Sequence, residues 1–596
     1  MPTRESRKRG ARWRLLPMLA LMASCWALAA ADPHKLLRVA SPDIETLDPQ
    51  QYNDDPSFEI ISTIFESLYE WDYLATTPTL TPVTAAGPPQ ISADGLTWTI
   101  RVKPGIYFTD DPAFKGKPRE LVAADFVYSI MRWLDPNLRR GGAPSSADLI
   151  VGARAVVDAA RATGKLDYDR PIEGLRALDR YTLQMKLTSA NYPIAEAVLV
   201  YFVCAREVVE AAHGDIRTRP VGTGAYKLKE WKRGSRLVLE ANPKYRGISF
   251  PSSSNPQHAA LEKTMHGKTL PQIGVVEVAF IEEDVTRLLE FDRGALDVVV
   301  LRAEIAAKLL TDNKLKPEYA TRGIVRHVYT EPYLFEVYFN MADPVIGGMG
   351  NERVALRRAI ALSFDRKTLI DVVYAGQALP ANQLVPPGVA GHDPRLPPPP
   401  AEDPAAANAL LDRFGFKPRD AEGYRPAPDG KPLTVTMSLR TGAISRETAT
   451  LWKKSFDAIG LRSDFHLAPF QDVIKELEGG SFQMFSGGYG GTPSGYSQLW
   501  QVDPRQPATV NVSRFKSSET PRLIDAFFAS PDEAGRVAAA RKASEIAASY
   551  VPVLPTIFRQ QNDFTQPWLL GYSPMRFATY WKYLDIDLAQ RQRAGH

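Results

Sequence analysis

Two short patterns in the sequence could support covalent chemistry at a serine. Ser513 and Lys516 have the Ser-x-x-Lys spacing that occurs in serine acyltransferases. The companion Ser-Asp-Asn and Lys-Thr-Gly motifs do not occur, and Ser494, between Gly491 and Gly495, lacks the spacing of a nucleophile elbow. The sequence therefore predicts that the protein is not an enzyme. A secreted hydrolase is the alternative from a different functional class.

The residues that usually hold cofactors also lack the required spacing. The 8 histidines form no His-Glu-x-x-His motif, and the 2 cysteines form no Cys-x-x-Cys motif. Gly222 and Gly224 lie close together, but the third glycine of a phosphate-binding loop is missing and a predicted strand follows. Cys204 follows an apolar run and is predicted to be a buried, inert thiol. We expect no metal and no cofactor, although a metal chelate or haem held as a ligand by one histidine remains open.

Length and charge limit the class of protein. A chain of 596 residues is too long for a single core, so several domains are expected. The formal charge is +4, but the first 31 residues carry six basic side chains against one acidic side chain, so the rest is close to neutral. The sequence therefore predicts no nucleic-acid partner, because that would require a basic face.

The N-terminus has the pattern of an export signal. Basic residues precede an apolar run from Leu15 to Ala31, and small residues at 27–31 fit a cleavage site. Residues 1–31 are therefore predicted to be a signal peptide, and the mature protein is predicted to be periplasmic. Lipid attachment at Cys25 is the alternative.

Local patterns predict several of the elements. Apolar residues alternate from Leu96 to Val102, which indicates a half-buried strand, and helical spacing begins near Ala124. A helix is also predicted from about 57 to 71. Asn351 and Asp365 are predicted to cap helices, and the polar stretch 251–271 is predicted to be a surface loop.

Four blocks of the sequence resemble a known family. Residues 91–134, 220–245, 338–365 and 567–572 are similar to recurring motifs of the family 5 solute-binding proteins of ABC importers, which include peptide and nickel binders. The resemblance implies an α/β fold of the periplasmic binding protein-like type II class, with two lobes, mixed β-sheets, a hinge and an extra small domain in the N-terminal lobe. Its expected segments are 32–59 for the first part of lobe I, 60–200 for the small domain, 201–338 for the second part of lobe I, 339–547 for lobe II, and 548–596 for the C-terminal part of lobe I.

The same resemblance implies a ligand site between the lobes. In peptide-binding members a segment corresponding to 52–55 pairs with the peptide backbone like an added strand; a solvated turn before a helix is the alternative, since Asn-Asp-Asp-Pro is also turn chemistry. In the family, a loop corresponding to 487–496 carries the aspartate that pairs with the α-ammonium group of the peptide. In this chain Gly491 replaces that aspartate. Ser494 replaces the next acidic residue of the loop, and Gly488 replaces an aromatic residue. The predicted ligand-binding residues are Tyr52, Asn53, Asp54, Asp55, Arg440, Tyr489, Gly490, Gly491, Thr492, Ser494 and Tyr496.

These residues lead to a functional prediction. The protein is expected to capture a peptide or peptide-like solute and to deliver it to an ABC permease in the inner membrane, acting as a monomer. Because a buried ammonium group without a counter-ion is costly, the loss of the aspartate puts binding of ordinary dipeptides in doubt. An opine, a sugar or a chelated metal is therefore the alternative ligand.

Overall fold

The computed structural model describes residues 31–138, 144–574, 577 and 580–596. The predicted signal peptide, apart from Ala31, lies outside the described residues, and so does Cys25. Within the described part of the chain, no helix is long and apolar enough to cross a membrane.

The strands, in chain order, are β1 Asp32–Ser41, β2 Tyr69–Trp71, β3 Leu80–Pro82, β4 Gln90–Ile91, β5 Thr97–Arg101, β6 Leu175–Asp179, β7 Thr182–Lys186, β8 Tyr226–Lys232, β9 Arg236–Ala241, β10 Ile248–Ser249, β11 Thr269–Leu270, β12 Ile273–Phe280, β13 Val298–Leu301, β14 Leu310–Thr311, β15 Lys314–Leu315, β16 Val325–Phe339, β17 Ala378–Pro380, β18 Thr434–Arg440, β19 Arg462–Ala468, β20 Met484–Gly490, β21 Val553–Thr565, β22 Leu569–Leu570 and β23 Asp585–Ile586.

The helices, in chain order, are α1 Asp55–Ile64, α2 Ala123–Leu134, α3 Pro144–Leu149, α4 Ala153–Thr163, α5 Tyr192–Leu199, α6 Arg206–Ala211, α7 Ala259–Met265, α8 Asp284–Asp292, α9 Ala303–Ala306, α10 Pro317–Ala320, α11 Asn351–Ser363, α12 Arg366–Thr368, α13 Pro404–Arg413, α14 Ala443–Ala458, α15 Phe470–Gly479, α16 Tyr496–Trp500, α17 Thr520–Phe528, α18 Glu533–Tyr550 and α19 Leu588–Arg593.

Three larger sheets organise these elements. One has the order β1-β12-β9-β8, with β1 parallel to β12, and a second has the antiparallel order β4-β5-β7-β6. The third is mixed and has the order β13-β21-β16-β20-β18-β19, with β17 on β21. The predicted alternation of β5 is confirmed, since Trp98 and Ile100 are buried between more exposed neighbours.

The two longest strands, β16 and β21, run through the third sheet side by side. Their register is regular from Val325 to Thr330 and resumes at Leu334, opposite Phe558. Residues 331–333 bulge out between these two stretches. A bulge bends a strand and redirects its side chains, and this bulge supplies part of the candidate site.

The predicted helix 57–71 is wrong in its C-terminal half. Helix α1 ends at Ile64, Phe65 is extended, and β2 follows. The loop at 222–224 lies against this end: Gly224 N–H donates to Ile64 O at 2.8 Å, and a β-carbon at Gly222 would lie 2.0 Å from the same oxygen. Tertiary contact with glycine backbone therefore ends the helix where its apolar pattern continues.

Two smaller predictions are also corrected. The cap of α11 is Gly350, and Asn351 is already the first helical residue; Asp365 does cap α12, accepting from Thr368 N–H at 2.8 Å. The stretch 251–271 is more than a surface loop, since it contains α7 and β11 and buries Met265 completely.

Candidate functional site

A cavity of about 500 Å³ lies between the N-terminal end of α1, the bulge of β16 and the end of β20. This volume is in the range of small-molecule sites. Its lining residues are Tyr52, Asn53, Asp54, Asp55, Phe58, Trp71, Glu331, Pro332, Tyr333, Gly490, Gly491, Pro493, Arg559 and Phe577.

The segment before α1 forms one wall. Asp54 caps the helix, accepting from Ser57 N–H at 2.7 Å and from Ser57 Oγ at 3.0 Å. The Tyr52 ring packs edge-on against Trp133, with centroids 5.8 Å apart, and lies at the same distance from Phe58. The Asn-Asp-Asp-Pro segment is therefore a helix-capping turn that also borders the cavity, and its pairing with a peptide backbone stays a prediction.

The opposite wall carries the charged residues of the β16 bulge. The Glu331 carboxylate is buried and pairs with Nε of Arg559. The Arg559 guanidinium lies 5.8 Å from the centroid of the Tyr333 ring and 5.5 Å from that of Phe335. With Asp54 and Asp55 across the cavity, three acidic side chains and one basic side chain occur among its described lining residues. A cleft with an excess of one sign of charge attracts ligands of the other sign.

Glycines in β20 make room for Tyr333. A β-carbon at Gly488 would lie 2.0 Å from Cε1 of Tyr333, whereas a β-carbon at Gly490 would lie at an ordinary 3.5 Å from that ring. The Tyr333 hydroxyl donates to Gly488 O at 3.0 Å. The aromatic residue that the family resemblance places at 488 is therefore absent, and a tyrosine from β16 fills that space.

One edge of β20 is open beside the cavity. Strand β16 pairs with all of 484–490, whereas β18 pairs only at Met484 and Phe485, so among the described strands 486–490 has a partner on a single edge. Gly491 N–H donates to Pro332 O at 2.5 Å. Because alternate residues of an antiparallel strand bond to a given neighbour, Gly488 and Gly490 turn their backbone polar groups toward the open edge.

Gly491 has no space for the aspartate that it replaces. A β-carbon there would lie 2.2 Å from the side-chain amide of Gln498 and 2.8 Å from Pro332 O. Gln498 is fully buried, and with its amide oriented to satisfy its neighbours its oxygen accepts from Gly491 N–H at 3.0 Å. A neutral amide therefore occupies the position where the resemblance implies a carboxylate.

The structure brings six of the predicted site residues to one cavity and leaves five outside its lining. Tyr52, Asn53, Asp54 and Asp55 face Gly490 and Gly491 across it. Burial raises the pKa of Tyr489 to about 12, and Arg440 is exposed at the end of β18. The other three lie beyond the cavity: Thr492 N–H donates to Ser497 Oγ, Ser494 is buried, and the ring of Tyr496 packs on Trp500.

Sequence reasoning missed the residues of the β16 bulge and Arg559. One signal was available, because Glu331 and Pro332 interrupt a long strand-forming run and a proline within a sheet marks an edge or a bulge. No comparable signal marks Arg559, which reaches the cavity through pairing across more than 200 residues. Within the described residues, no three His, Cys, Asp or Glu side chains are placed to hold a metal ion.

The chain is similar to known proteins over most of its length. The family model described as "Bacterial extracellular solute-binding proteins, family 5 Middle" matches residues 79–506. The chain is 25% identical to the periplasmic oligopeptide-binding protein OppA of Escherichia coli (strain K12), over 93% of this chain and 94% of that protein. It is 24% identical to di/tripeptide-binding protein 2 of Pseudomonas aeruginosa (strain UCBPP-PA14), over 95% and 97%.

A solved structure shows the fold. HbpA2 from Haemophilus parasuis superposes with a TM-score of 0.72 at 19% identity, covering 93% of this chain and 100% of that chain. The architecture is thus the two-lobe, mixed α/β type II fold of periplasmic binding proteins. The predicted bounds of the lobes remain a prediction. The chain belongs to the bacterial extracellular solute-binding proteins of family 5.

Proposed function

We propose that this protein is the substrate-binding component of an ABC importer, which captures a short peptide or peptide-like solute between its two lobes. The observation that carries the proposal is the cavity between residues 52–55 and the open edge of β20. Both relatives described above are named as peptide-binding proteins. The captured solute would be delivered to a permease in the membrane.

The open edge of β20 suits main-chain recognition. An extended peptide laid along Gly488 and Gly490 would hydrogen-bond to the backbone groups that these glycines turn to the open edge, as in β-augmentation. The Gly488 carbonyl already accepts from the Tyr333 hydroxyl, so Gly488 N–H and Gly490 would make these bonds. On its other side the peptide would face Asn53, for which no hydrogen bond is seen within the described residues. Such contacts bind peptides with little dependence on side-chain identity, so specificity would come from the cavity walls.

The charge of the cavity favours a cationic group on the ligand. Among the lining residues that the structure describes, Asp54, Asp55 and Glu331 outnumber Arg559, and an ammonium group brought among them would be compensated. In this protein the amino group of a peptide would thus be held from the α1 side and the β16 bulge, since Gln498 fills the space beside Gly491.

Binding requires no covalent step. Affinity would come from desolvation and closure of the lobes, because a ligand stabilises the state for which it has the higher affinity. We propose further that the protein is exported to the periplasm and works as a monomer; the N-terminal pattern of basic and apolar residues supports export.

A solute without a primary α-ammonium group, such as a sugar or an opine, is the second candidate. It is favoured by the neutral Gln498 amide at the position of the ammonium-binding carboxylate. A chelated metal is a weaker candidate, since no protein ligand set for a metal occurs in the described part of the chain.

Thermal shift with a panel of di- to hexapeptides, sugars, opines and nickel chelates separates these candidates. A bound ligand adds RT ln(1 + [L]/Kd) to the free energy of unfolding and thereby raises the melting temperature. We expect stabilisation by peptides that carry a free amino group or a lysine, and recovery of the peptide intact by mass spectrometry. Stabilisation by a non-peptide alone would overturn the peptide assignment, and a cleaved peptide would overturn the assignment as a binding protein.

A further inference from the structure

A second cavity, the second chamber, lies beside the candidate site. It has a volume of about 790 Å³ and shares Pro332 and Phe577 with the first cavity. Its walls come from β16, from the segment 569–574 after β21, and from α7 and the turn before it. The two cavities therefore adjoin at these two residues, and the second is large enough for a drug-sized ligand by itself.

The described walls of the second chamber hold no permanently charged side chain. None of the described residues that line it is Asp, Glu, Lys or Arg. Val325 and Val328 of β16 are 47% and 41% exposed, unusual for valines of a strand. Burial lowers the pKa of His327 to about 4, so this side chain is neutral at pH 7. The other polar groups of the described lining are the His258 imidazole and amides and hydroxyls, among them Asn255, Gln257, Thr264, Thr330 and Thr565.

The wall that contains α7 is anchored firmly. Met265 is fully buried against Gly571, where a β-carbon would lie 3.1 Å from the methionine methyl group. The Tyr73 hydroxyl donates to Gly571 O at 2.8 Å, and its ring stacks on Tyr583 with centroids 4.4 Å apart. Lys268 pairs with Asp585 at 2.7 Å. The chamber is therefore a built feature of the fold and not a gap beneath a loose loop.

The two chambers differ in chemistry. The described lining of the first has three carboxylates and one guanidinium, whereas that of the second offers apolar surface with two imidazoles, amides and hydroxyls. A ligand that spans both would place its charged group in the first chamber. The rest of that ligand would lie in the second chamber. Its transfer from water would favour binding only if it is uncharged and largely apolar, because burial of an unpaired charge is costly.

We propose that the second chamber binds an uncharged, apolar-rich extension of the ligand and thereby selects peptides longer than a tripeptide. This inference rests on the proposed function. The chamber would discriminate by the character of the extension and not by its sequence, since its described lining offers no carboxylate, ammonium or guanidinium group to pair with a particular side chain.

Matched peptides test the proposal. The probes are Ala-Lys-Ala and four hexapeptides that extend it by Leu-Ser-Leu or by Glu-Ser-Glu, at either end. Calorimetric titration should show that Leu-Ser-Leu at one end tightens binding at least about tenfold over Ala-Lys-Ala, the order expected when one leucine-sized side chain leaves water. Glu-Ser-Glu should give no gain.

Two variants that fill the chamber from opposite walls complete the test. Val328→Trp and Thr264→Trp should each remove the gain and leave the affinity for Ala-Lys-Ala within about twofold, whereas Val372→Trp, at a 69% exposed position of lobe II, should keep the gain. If Ala-Lys-Ala binds and no extension improves it, or if the gain survives both filled variants, the second chamber is not a ligand site. If the native protein binds none of the five peptides, the proposed function itself falls.

Discussion

At the residue scale, two adjacent aspartates of the candidate site have separable roles. Asp54 accepts two hydrogen bonds from Ser57 and caps α1, whereas Asp55 is the first residue of the helix and lines the same cavity. An acidic residue in the first turn also favours the helix through its dipole. Neighbouring side chains therefore contribute to the stability of α1 and to the charge of the ligand site, and substitutions can separate the two contributions.

Substitution of Asp54 should separate capping from charge. Asp54→Ala should lower the free energy of unfolding by about 1 kcal/mol, whereas Asp54→Asn keeps a capping oxygen and should cost much less. Both should weaken a cationic ligand, and Asp55→Ala should weaken it as well. Urea unfolding and calorimetric titration measure the two effects, and equal stability of the two Asp54 variants would contradict the capping role.

A buried carboxyl group behind the site makes stability depend on pH. Burial raises the pKa of Glu336 from its ordinary 4.5 to about 8, and the Tyr338 hydroxyl lies between this carboxyl group and the side-chain oxygen of Gln501. The folded state therefore retains a proton that the unfolded chain releases above pH 4.5. By linkage, the contribution of this group to stability falls as pH rises from about 4.5 to 8 and is level above that range.

Glu336→Gln should remove this dependence. We expect urea unfolding of the native protein to show a loss of stability between pH 5 and pH 8.5 that the variant lacks, while the exposed-site control Glu478→Gln behaves like the native protein. The same pH dependence in Glu336→Gln and the native protein would show that Glu336 is ionised at neutral pH in the folded state.

At the scale of elements, the β16 bulge and the glycines of β20 build the site together. The bulge brings Glu331, Pro332 and Tyr333 to the cavity, and Gly488 leaves the space that the Tyr333 ring occupies. Neither strand would form this wall alone.

Two alanine substitutions in β20 test this fit. Gly488→Ala should displace Tyr333 and weaken ligand binding by about tenfold, because a β-carbon would lie 2.0 Å from the ring. Gly490→Ala is the matched control, with the ring at 3.5 Å. The double variant Gly488→Ala, Tyr333→Ala should show non-additive losses in a double-mutant cycle, and additive losses would mean that the two residues do not share this space.

The sequence predicted elements better than it predicted their junctions. The strand and helix within 91–134 were confirmed as β5 and α2, because local periodicity determines them. The end of α1 was missed because the loop at 222–224 imposes it from outside. Tyr52–Asp55 and Gly490–Gly491 were placed through family resemblance, whereas Tyr333 and Arg559 were missed, since their positions depend on the register of β16 and β21.

At the scale of the whole molecule, an ion pair joins two distant parts of the fold. Arg536 of α18 and Glu196 of α5 form two hydrogen bonds, of 2.6 and 3.1 Å, and their side chains are only 7% and 18% exposed. α17 also contacts α5. With the predicted lobe ranges, this pair links the small domain to lobe II across the cleft, and we expect it to form only when the lobes are closed.

Loss of this pair should shift the protein toward an open form. Arg536→Ala should increase the radius of gyration of the ligand-free protein in small-angle X-ray scattering and weaken ligand binding several-fold, because a contact specific to the closed state is removed. Arg541→Ala is the control, since Arg541 of the same helix pairs with Glu545 at 2.9 Å and with Asp393 at 3.6 Å, both within the predicted range of lobe II. An unchanged radius and affinity in Arg536→Ala would exclude a role in closure.

The central claim is that the protein captures a peptide between residues 52–55 and β20. Calorimetric titration tests it most directly, with one peptide that stabilises the protein in the thermal-shift panel titrated into the native protein and two variants. Gly490→Trp fills the cavity, and Val372→Trp places the same side chain at an exposed position of the helical turn Leu369–Val373. We predict saturable binding of one peptide per chain to the native protein and to Val372→Trp, and loss of binding in a folded Gly490→Trp. Equal binding by all three proteins would contradict this location of the site.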